Sequence, residues 1–317
     1  MTYCLAPLEG ITTPVYHRAH RDYFPPLEQY YTPFFSPSPE RGLSNKDCRS
    51  LSSDRDAPLI PQLLTNSATA FCKAARQLEE LGFCEINLNL GCPSGTVTAK
   101  GKGAGFLAFP EKLDQFFASI YQEMPSLKLS VKTRLGLEDP AEFGPILEIY
   151  NRYPITCLIL HPRVQQDFYR RPVRLEAFAQ YVTQCKAPVC YNGDLFTPTQ
   201  CQQIFEQFPS VPQIMLGRGL IANPALHRET AGGPSLEKPL LREFHDRLLS
   251  DYTALYSGDR PVLAKMKELW FYQITLFCNA QKEAKAIRKS QTLDDYRRVV
   301  STLFLHRDLI PGGGYTP

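Results

Sequence analysis

Short apolar runs alternate with longer amphipathic stretches through residues 1–230 of the chain. Eight of these runs have the length and continuity of buried strands. The predicted strands are Tyr3–Leu8, Glu28–Phe34, Leu59–Leu63, Cys84–Asn89, Leu129–Thr133, Thr156–His161, Val189–Asn192 and Gln213–Leu216. The predicted helices between them include Ser67–Leu81, Pro110–Tyr121, Ala141–Tyr150 and Thr197–Phe208. This alternation indicates a parallel sheet, and eight repeats over this length favour a (β/α)8 barrel over an open sheet.

The composition changes at Ala231–Pro234, a candidate linker. After it, three amphipathic helices are predicted at Leu240–Tyr256, Pro261–Phe277 and Leu293–Leu305. We therefore predict an α/β protein with two domains, a TIM barrel over residues 1–230 and a small C-terminal helical domain over 235–310. The glycines at 312–314 predict a frayed segment.

Composition narrows the class of protein. The chain has 317 residues, of which 43% are apolar and 21% charged, as in soluble globular proteins. No apolar stretch is long enough to span a bilayer, and the first residues lack the basic region of a signal peptide. The ten cysteines include no Cys-x-x-Cys pair and no zinc-type spacing to histidine. We expect a cytoplasmic protein with reduced cysteines, no membrane partner and no metal.

The net charge of +3 is too small to indicate a nucleic-acid-binding protein by itself. Its distribution is more informative. Residues 235–310 contain 13 Lys and Arg against 10 Asp and Glu, a surplus of 3 that equals the net charge of the whole chain. The excess positive charge therefore lies in the predicted helical domain.

Polar side chains collect where the predicted strands end. They are Glu9 after the first strand, Gln62 at the third, Asn89 and Cys92 at the fourth, Lys132 and Arg134 at the fifth, His161 and Arg163 at the sixth, Asn192 and Asp194 at the seventh, and Arg218 at the eighth. Each has an ordinary explanation alone, such as a solvated strand end. Because the carboxyl ends of parallel strands meet on one rim of a barrel, the set together predicts an active site there.

Cys92 lies in Asn89-Leu90-Gly91-Cys92-Pro93, where an apolar run ends. Glycine and proline cannot continue a strand, so the thiol is predicted at the carboxyl tip of the strand. A cysteine there can act as a nucleophile or as a general acid. The alternative is a small buried hydrophobic residue beside a turn.

The rim also has the composition of a cofactor site. Gly193 and Gly217-Arg218-Gly219 follow the last two strands, where barrels bind phosphate through backbone N–H groups. Lys132 and His161 are cationic or donor groups suited to an electron-rich ring, and Gln62 offers a donor and an acceptor for an imide-like edge. Together they indicate a flavin mononucleotide, although spacing alone leaves another phosphorylated ligand open.

A series of motifs resembles one known family. The motifs are Ala-Pro-Leu-Glu-Gly at 6–10, Pro-Gln at 61–62, Asn-Leu-Gly-Cys-Pro-Ser at 89–94, Val-Lys-Thr-Arg-Leu-Gly at 131–136, His-x-Arg at 161–163, Asn-Gly-Asp at 192–194 and Gly-Arg-Gly at 217–219. Their order and sequence closely resemble the bacterial tRNA-dihydrouridine synthases. Asn-x-Gly-Cys-Pro is the specific motif of the series. This family folds as an FMN-binding barrel followed by a helical tRNA-binding domain.

The resemblance implies an oxidoreductase in which NADPH reduces FMN, flavin N5 gives a hydride to uracil C6 in tRNA, and Cys92 protonates C5. It implies that FMN is held by Pro7, Leu8, Glu9, Gln62, Lys132, His161, Asn192, Gly193, Asp194, Gly217 and Arg218. Asn89, Arg134 and Arg163 are expected substrate contacts, and the two arginines and Lys132 can also stabilise negative charge. A monomer is expected.

Further contacts with tRNA are predicted outside the pocket, because a base must be extracted from its stack. A basic stripe is predicted at helical spacing from Lys282, Lys285, Arg288 and Lys289, to which Lys265 and Lys267 would add. The alternative is an ordinary solvated helix face. The loop at 100–105 resembles a mobile loop that covers the site, and a plain flexible loop is the alternative.

Two rival functions stay open. Another FMN barrel enzyme, one that reduces a free pyrimidine or an enone, would turn over without RNA. A tRNA-binding chaperone that has lost catalysis is the rival from another class, and the presence of Cys92, Lys132 and His161 argues against it.

Overall fold

The structure is a computed structural model that describes residues 1–52 and 58–316. Among these residues, nine strands form one sheet of parallel neighbours. They are β1 (Thr2–Leu5), β2 (Gln29–Tyr31), β3 (Leu59–Ile60), β4 (Gln62–Leu63), β5 (Ile86–Leu90), β6 (Leu129–Arg134), β7 (Ile155–His161), β8 (Val189–Tyr191) and β9 (Gln213–Leu216). Their order is β3-β2-β1-β9-β8-β7-β6-β5-β4.

The two ends of this order come from one stretch of chain, the predicted third strand. Leu59–Ile60 pairs with β2, and Gln62–Leu63 pairs with β5. Pro61 lies between them and has no N–H to donate to a strand ladder, which divides the strand. The sheet therefore nearly closes on itself, and the predicted (β/α)8 barrel followed by a helical region is confirmed.

Helices follow the strands around the barrel. They are α1 (Pro14–Tyr23), α2 (Asn45–Ser52), α3 (Ala68–Glu80), α4 (Gly95–Thr98), α5 (Pro110–Glu123), α6 (Phe143–Tyr150), α7 (Leu175–Val182), α8 (Pro198–Gln207), α9 (Arg218–Ala222) and α10 (Leu226–Thr230). The predictions for α3, α5, α6 and α8 are confirmed. Ser67 caps α3, because its side chain accepts a hydrogen bond from the N–H of Ala70.

The C-terminal region contains four helices among the residues described. They are α11 (Lys238–Leu255), α12 (Asp259–Gln273), α13 (Gln281–Lys289) and α14 (Leu293–His306). Three of them were predicted as amphipathic helices, and α13 was indicated only by the helical spacing of its basic residues. Its apolar signal is weak, because only Glu283 and Ile287 of its nine residues are buried.

The chain divides into two compact units by its contacts. The first consists of Met1–Pro7, Gln29–Gly193 and Phe208–Met215, and the second consists of Leu8–Glu28, Asp194–Gln207 and Leu216–Pro317. The functional boundaries at 1–230 and 235–310 remain a prediction.

A buried polar network joins three helices of the second unit. The Trp270 indole donates to the Tyr296 hydroxyl at 2.6 Å, and this hydroxyl lies 2.7 Å from Nε2 of His245. The hydroxyl has one proton to donate, so Nε2 accepts it, and the proton on Nδ1 goes to Asp246 at 2.8 Å. Burial lowers the pKa of His245, which keeps the ring neutral.

We expect Tyr296→Phe to lower the free energy of unfolding by about 1–3 kcal/mol, because it leaves buried donors and acceptors of Trp270 and His245 without their partner. Urea unfolding followed by circular dichroism measures this change. Tyr256→Phe removes a hydroxyl from a half-buried tyrosine outside the network and is the control. Equal urea midpoints for the two variants would show that the network does not contribute to the free energy of unfolding.

Candidate active site

The loop that carries Cys92 begins directly after β5. The side-chain oxygen of Asn89 accepts hydrogen bonds from the N–H groups of Gly91 (3.1 Å) and Cys92 (2.9 Å). On the other side, the N–H of Ala104 donates to the carbonyl of Cys92 at 3.1 Å. These bonds hold the loop in one conformation, with the Cys92 side chain half-buried at the carboxyl end of the strand.

Two further side chains hold the same loop. Arg134 donates from Nε to the carbonyl of Gly91 and from Nη1 to the carbonyl of Val164, each at 2.9 Å. Gln165 donates to the carbonyl of Pro93 at 3.0 Å. The loop after β5 is therefore attached to the loop after β7.

A chain of carboxamides lies behind Cys92 in the barrel interior. Gln62, fully buried, donates to Asn87 and accepts from Asn89, both at 2.7 Å. Asn87 in turn donates to the Ser130 hydroxyl at 3.0 Å. The orientation of Asn89, and through it the Cys92 loop, is thus determined by a buried hydrogen-bond network across β4, β5 and β6.

Lys132 is the register partner of Asn89 on the neighbouring strand β6. Burial and, to a smaller extent, the positive charge of Arg134 lower the pKa of Lys132 to about 8. Because the ordinary lysine pKa is about 10.4, this side chain loses its proton at a lower pH than a surface lysine does.

We expect amine acylation of Lys132 in the protein without bound ligand to rise with pH around a midpoint of about 8. Only the neutral amine reacts, and a lowered pKa exposes it at lower pH. Trace labelling with acetic anhydride, read by peptide mass spectrometry, measures the midpoint, with the exposed Lys112 as the internal control. A common midpoint near that of Lys112 would contradict the lowered pKa.

His161 ends β7 and is paired with Arg163. Nη1 of Arg163 lies 3.1 Å from Nε2 of His161. A guanidinium can only donate, so Nε2 is the acceptor and the proton of the neutral ring is on Nδ1. Arg163 also donates from Nε to the carbonyl of Arg171 at 2.6 Å.

Both arginines predicted to contact substrate are buried, with 1% of Arg134 and 2% of Arg163 exposed. Their described bonds go mainly to backbone carbonyls, so they hold the loops around the site. Their role at a substrate remains a prediction.

The loop after β7 presents a surface that combines aromatic and basic residues. Phe168 and Tyr169 are exposed, and Arg170 and Arg171 follow them. Buried Asp167 anchors this loop. Its carboxylate accepts two hydrogen bonds from Arg174, both at 3.1 Å.

Asp167 and Gln165 are the site residues that sequence reasoning missed. Gln165 bonds to the carbonyl of Pro93, and Asp167 accepts hydrogen bonds from Arg174. The spacing of these residues in the sequence does not predict such contacts.

The end of β8 supplies Asn192 and Gly193. Asn192 donates to the carbonyl of Met215 at 2.8 Å, which joins the ends of β8 and β9. A Cβ on Gly193 would lie 2.8 Å from Cγ1 of Val173 and 3.3 Å from the ring of His161. A side chain at position 193 would therefore require Val173 to move.

The second unit contains all but one of the remaining predicted cofactor residues. Asp194 has a φ of 44° and forms an ion pair with Arg218 at 2.7 Å. Gly217 precedes α9, and Leu8 donates from its N–H to the hydroxyl of Thr12 at 2.8 Å. The other two predicted residues differ in burial, Pro7 of the first unit being half-buried and Glu9 exposed.

The basic stripe is exposed on α13. Lys282, Lys285 and Arg288 are exposed, and the opposite face is anchored by Glu283, which accepts hydrogen bonds from Arg307. Lys265 and Lys267 were predicted to add to this stripe, but both side chains donate hydrogen bonds to backbone carbonyls. Lys265 donates to the carbonyl of Gly10 and Lys267 to that of Ser290.

The loop at 100–105 is packed in this structure. Asn66 donates to the carbonyls of Lys100 and Gly101, both at 3.1 Å. Residues 103–105 are buried at the start of the 3₁₀ helix Gly103–Ala108, and Lys100 is exposed.

Within residues 1–52 and 58–316, no cluster of three His, Cys, Asp or Glu has the arrangement of a metal site. No helix in these ranges has the length and apolar character to cross a membrane.

A parallel barrel that presents a thiol, a lysine of low pKa, a neutral histidine and carboxamides at the carboxyl ends of its strands defines an α/β-barrel enzyme. Residues 4–293 match the family described as dihydrouridine synthase (Dus). The chain belongs to that family, and the predicted family and its oxidoreductase class are confirmed.

Curated relatives agree with this assignment, and a solved structure shares the fold. A tRNA-dihydrouridine(16) synthase of Pseudomonas putida is 28% identical over 249 residues, which cover 74% of this chain and 77% of the relative. A probable tRNA-dihydrouridine synthase of Staphylococcus epidermidis is 27% identical over 260 residues, 79% of this chain and 78% of the relative. The structure of morphinone reductase matches with a TM-score of 0.54 and 13% identity, covering 75% of this chain and 87% of that one. This likeness concerns the fold.

Proposed function

We propose that this protein is an FMN-dependent tRNA-dihydrouridine synthase, which uses NADPH to reduce the C5–C6 double bond of specific uridines in tRNA. The observation that carries the proposal is the Cys92 loop, held by Asn89 and Arg134 beside Lys132 at the carboxyl ends of β5 and β6. The names of the curated relatives support the substrate. We place the enzyme in the cytoplasm, as a monomer.

The donor set fits a flavin. Lys132 is a cation that can stabilise an electron-rich ring, His161 has its proton on Nδ1, and Gln62 is oriented by its two carboxamide neighbours. The residues proposed to hold FMN are Pro7, Leu8, Glu9, Gln62, Lys132, His161, Asn192, Gly193, Asp194, Gly217 and Arg218. Within this set, Arg218 would bind the phosphate, and Asp194 would orient Arg218 through their ion pair.

FMN, when bound and reduced by NADPH, would supply the hydride for C6 of the uracil. Cys92 would then give its thiol proton to C5 as negative charge builds on that carbon, and the thiolate would regain a proton from solvent. Lys132 would stabilise the developing negative charge. The network behind Asn89 would keep the thiol in place during this step.

The proposed tRNA contacts are basic and exposed. Lys282, Lys285 and Arg288 on α13 would contact phosphates, and Tyr169 is an exposed aromatic on which an unstacked base can lie. Asn89, Arg134 and Arg163 remain proposed contacts of the target nucleotide.

The test is dihydrouridine formation in tRNA isolated from cells that lack the modification. Purified protein and NADPH are added, and nucleoside mass spectrometry measures the product. Fragment mapping names the uridine, with position 16 examined first because one relative is named for it. Free uridine and an enone run in parallel. Turnover of these small molecules without any product in tRNA would favour the rival small-molecule reductase.

A further inference from the structure

The segment that follows α14 packs against the turn after β8. Gly314 lies so close to this turn that a Cβ on it would be 1.9 Å from the carbonyl oxygen of Phe196. Tyr315 is 9% exposed, and its ring centroid lies 5.3 Å from those of both Phe196 and Tyr272. The segment is therefore packed at Gly314 and Tyr315, and the predicted fraying of residues 312–314 is wrong at Gly314.

The same segment contacts Arg218. The guanidinium carbon of Arg218 lies 5.4 Å from the centroid of the Tyr315 ring and 5.2 Å from that of Phe196. Its Nη2 bonds to Asp194 at 2.7 Å. Distances below about 6 Å are those of cation–π contacts. Three segments of the chain thus determine where this guanidinium points.

We propose that Tyr315 is a positioning residue for Arg218 and thereby sets the affinity for the phosphate of the flavin. This inference rests on the proposed function, in which Arg218 binds that phosphate. A planar guanidinium must present its N–H groups in a defined direction to bind phosphate well. Asp194 restrains one of its nitrogens, and the ring of Tyr315 restrains the position of the plane.

Binding of FMN and of riboflavin, measured by quenching of flavin fluorescence, separates the phosphate from the ring. We expect Tyr315→Ala to weaken FMN binding about 3- to 10-fold, the scale of one cation–π contact, and to leave riboflavin binding unchanged. Gly314→Ala should have the same effect, because its Cβ displaces the segment. Tyr315→Phe retains the ring and should bind FMN normally. Thr316→Ala changes an exposed neighbour and is the control.

A double-mutant cycle tests the route of the effect. In an Arg218→Ala background, Tyr315→Ala should cause no further loss of FMN affinity, because the two residues act as one unit. An equal loss in both backgrounds, or equal weakening of FMN and riboflavin, would overturn the proposal, since Tyr315 would then act on the fold as a whole.

A readout in the flavin-free protein separates this inference from the proposed function. The NMR signal of Nε–Hε of Arg218 should shift in Tyr315→Leu, because the aromatic ring current is lost, and should stay in place in Thr316→Ala. Failure of wild-type protein to bind either flavin contradicts the proposed function. Normal flavin binding together with an unmoved Arg218 signal contradicts the role of Tyr315 alone.

Discussion

Replacing Cys92 with alanine is expected to slow dihydrouridine formation about 10²- to 10⁴-fold, the usual contribution of a positioned general acid. The thiol sits on a loop whose backbone is bonded to Asn89, Ala104 and Arg134, and these bonds hold it at the carboxyl end of β5. Single-turnover mass spectrometry of dihydrouridine, started with reduced enzyme, measures the loss directly.

The matched control is Cys84→Ala, which removes an exposed thiol shortly before β5. Reduction of the bound flavin by NADPH should proceed at the wild-type rate in both variants, because that half-reaction needs no proton at uracil C5. A Cys92→Ala enzyme that keeps its rate within a few-fold would show that the acid is another group.

The strands were predictable because a sheet buried on both faces requires continuous apolar runs. Their ends were predicted less well, and proline accounts for much of the difference. The first strand ends at Leu5, before Pro7, and the second ends at Tyr31, before Pro33, whereas apolar character continues beyond both points. A search for apolar runs does not detect that proline lacks an N–H, and without this N–H the hydrogen bonding between strands ends.

The gathering of polar residues at the strand ends was predictable for a related reason. Polar residues at the ends of apolar runs are costly to bury, so their recurrence at successive strand ends indicates a common rim. Partners were not predictable. Arg134 and Arg163 resemble substrate-binding arginines in the sequence, yet their described bonds go mainly to backbone carbonyls of distant segments. Every residue has a backbone carbonyl, so the sequence cannot show which carbonyl an arginine side chain will bond to.

Asn89→Ala is expected to reduce dihydrouridine formation about 10²-fold, because a displacement of the acid by about 1 Å has an effect of this size. The variant removes the acceptor that bonds to the N–H groups of Gly91 and Cys92 and leaves buried Gln62 with an unsatisfied carbonyl. Asn89→Asp keeps the acceptor for both N–H groups and should retain more activity. The same single-turnover assay measures both variants.

Two comparisons decide how Asn89 acts. Asn151→Ala is the control, because Asn151 also bridges backbone groups but lies before the amino end of β7. In a Cys92→Ala background, Asn89→Ala should cause little further loss if it acts by placing the thiol. An additive loss would instead indicate that Asn89 acts mainly through its proposed contact with the target nucleotide. Since its side-chain oxygen accepts from two N–H groups and its nitrogen donates to Gln62, the geometry favours the first outcome.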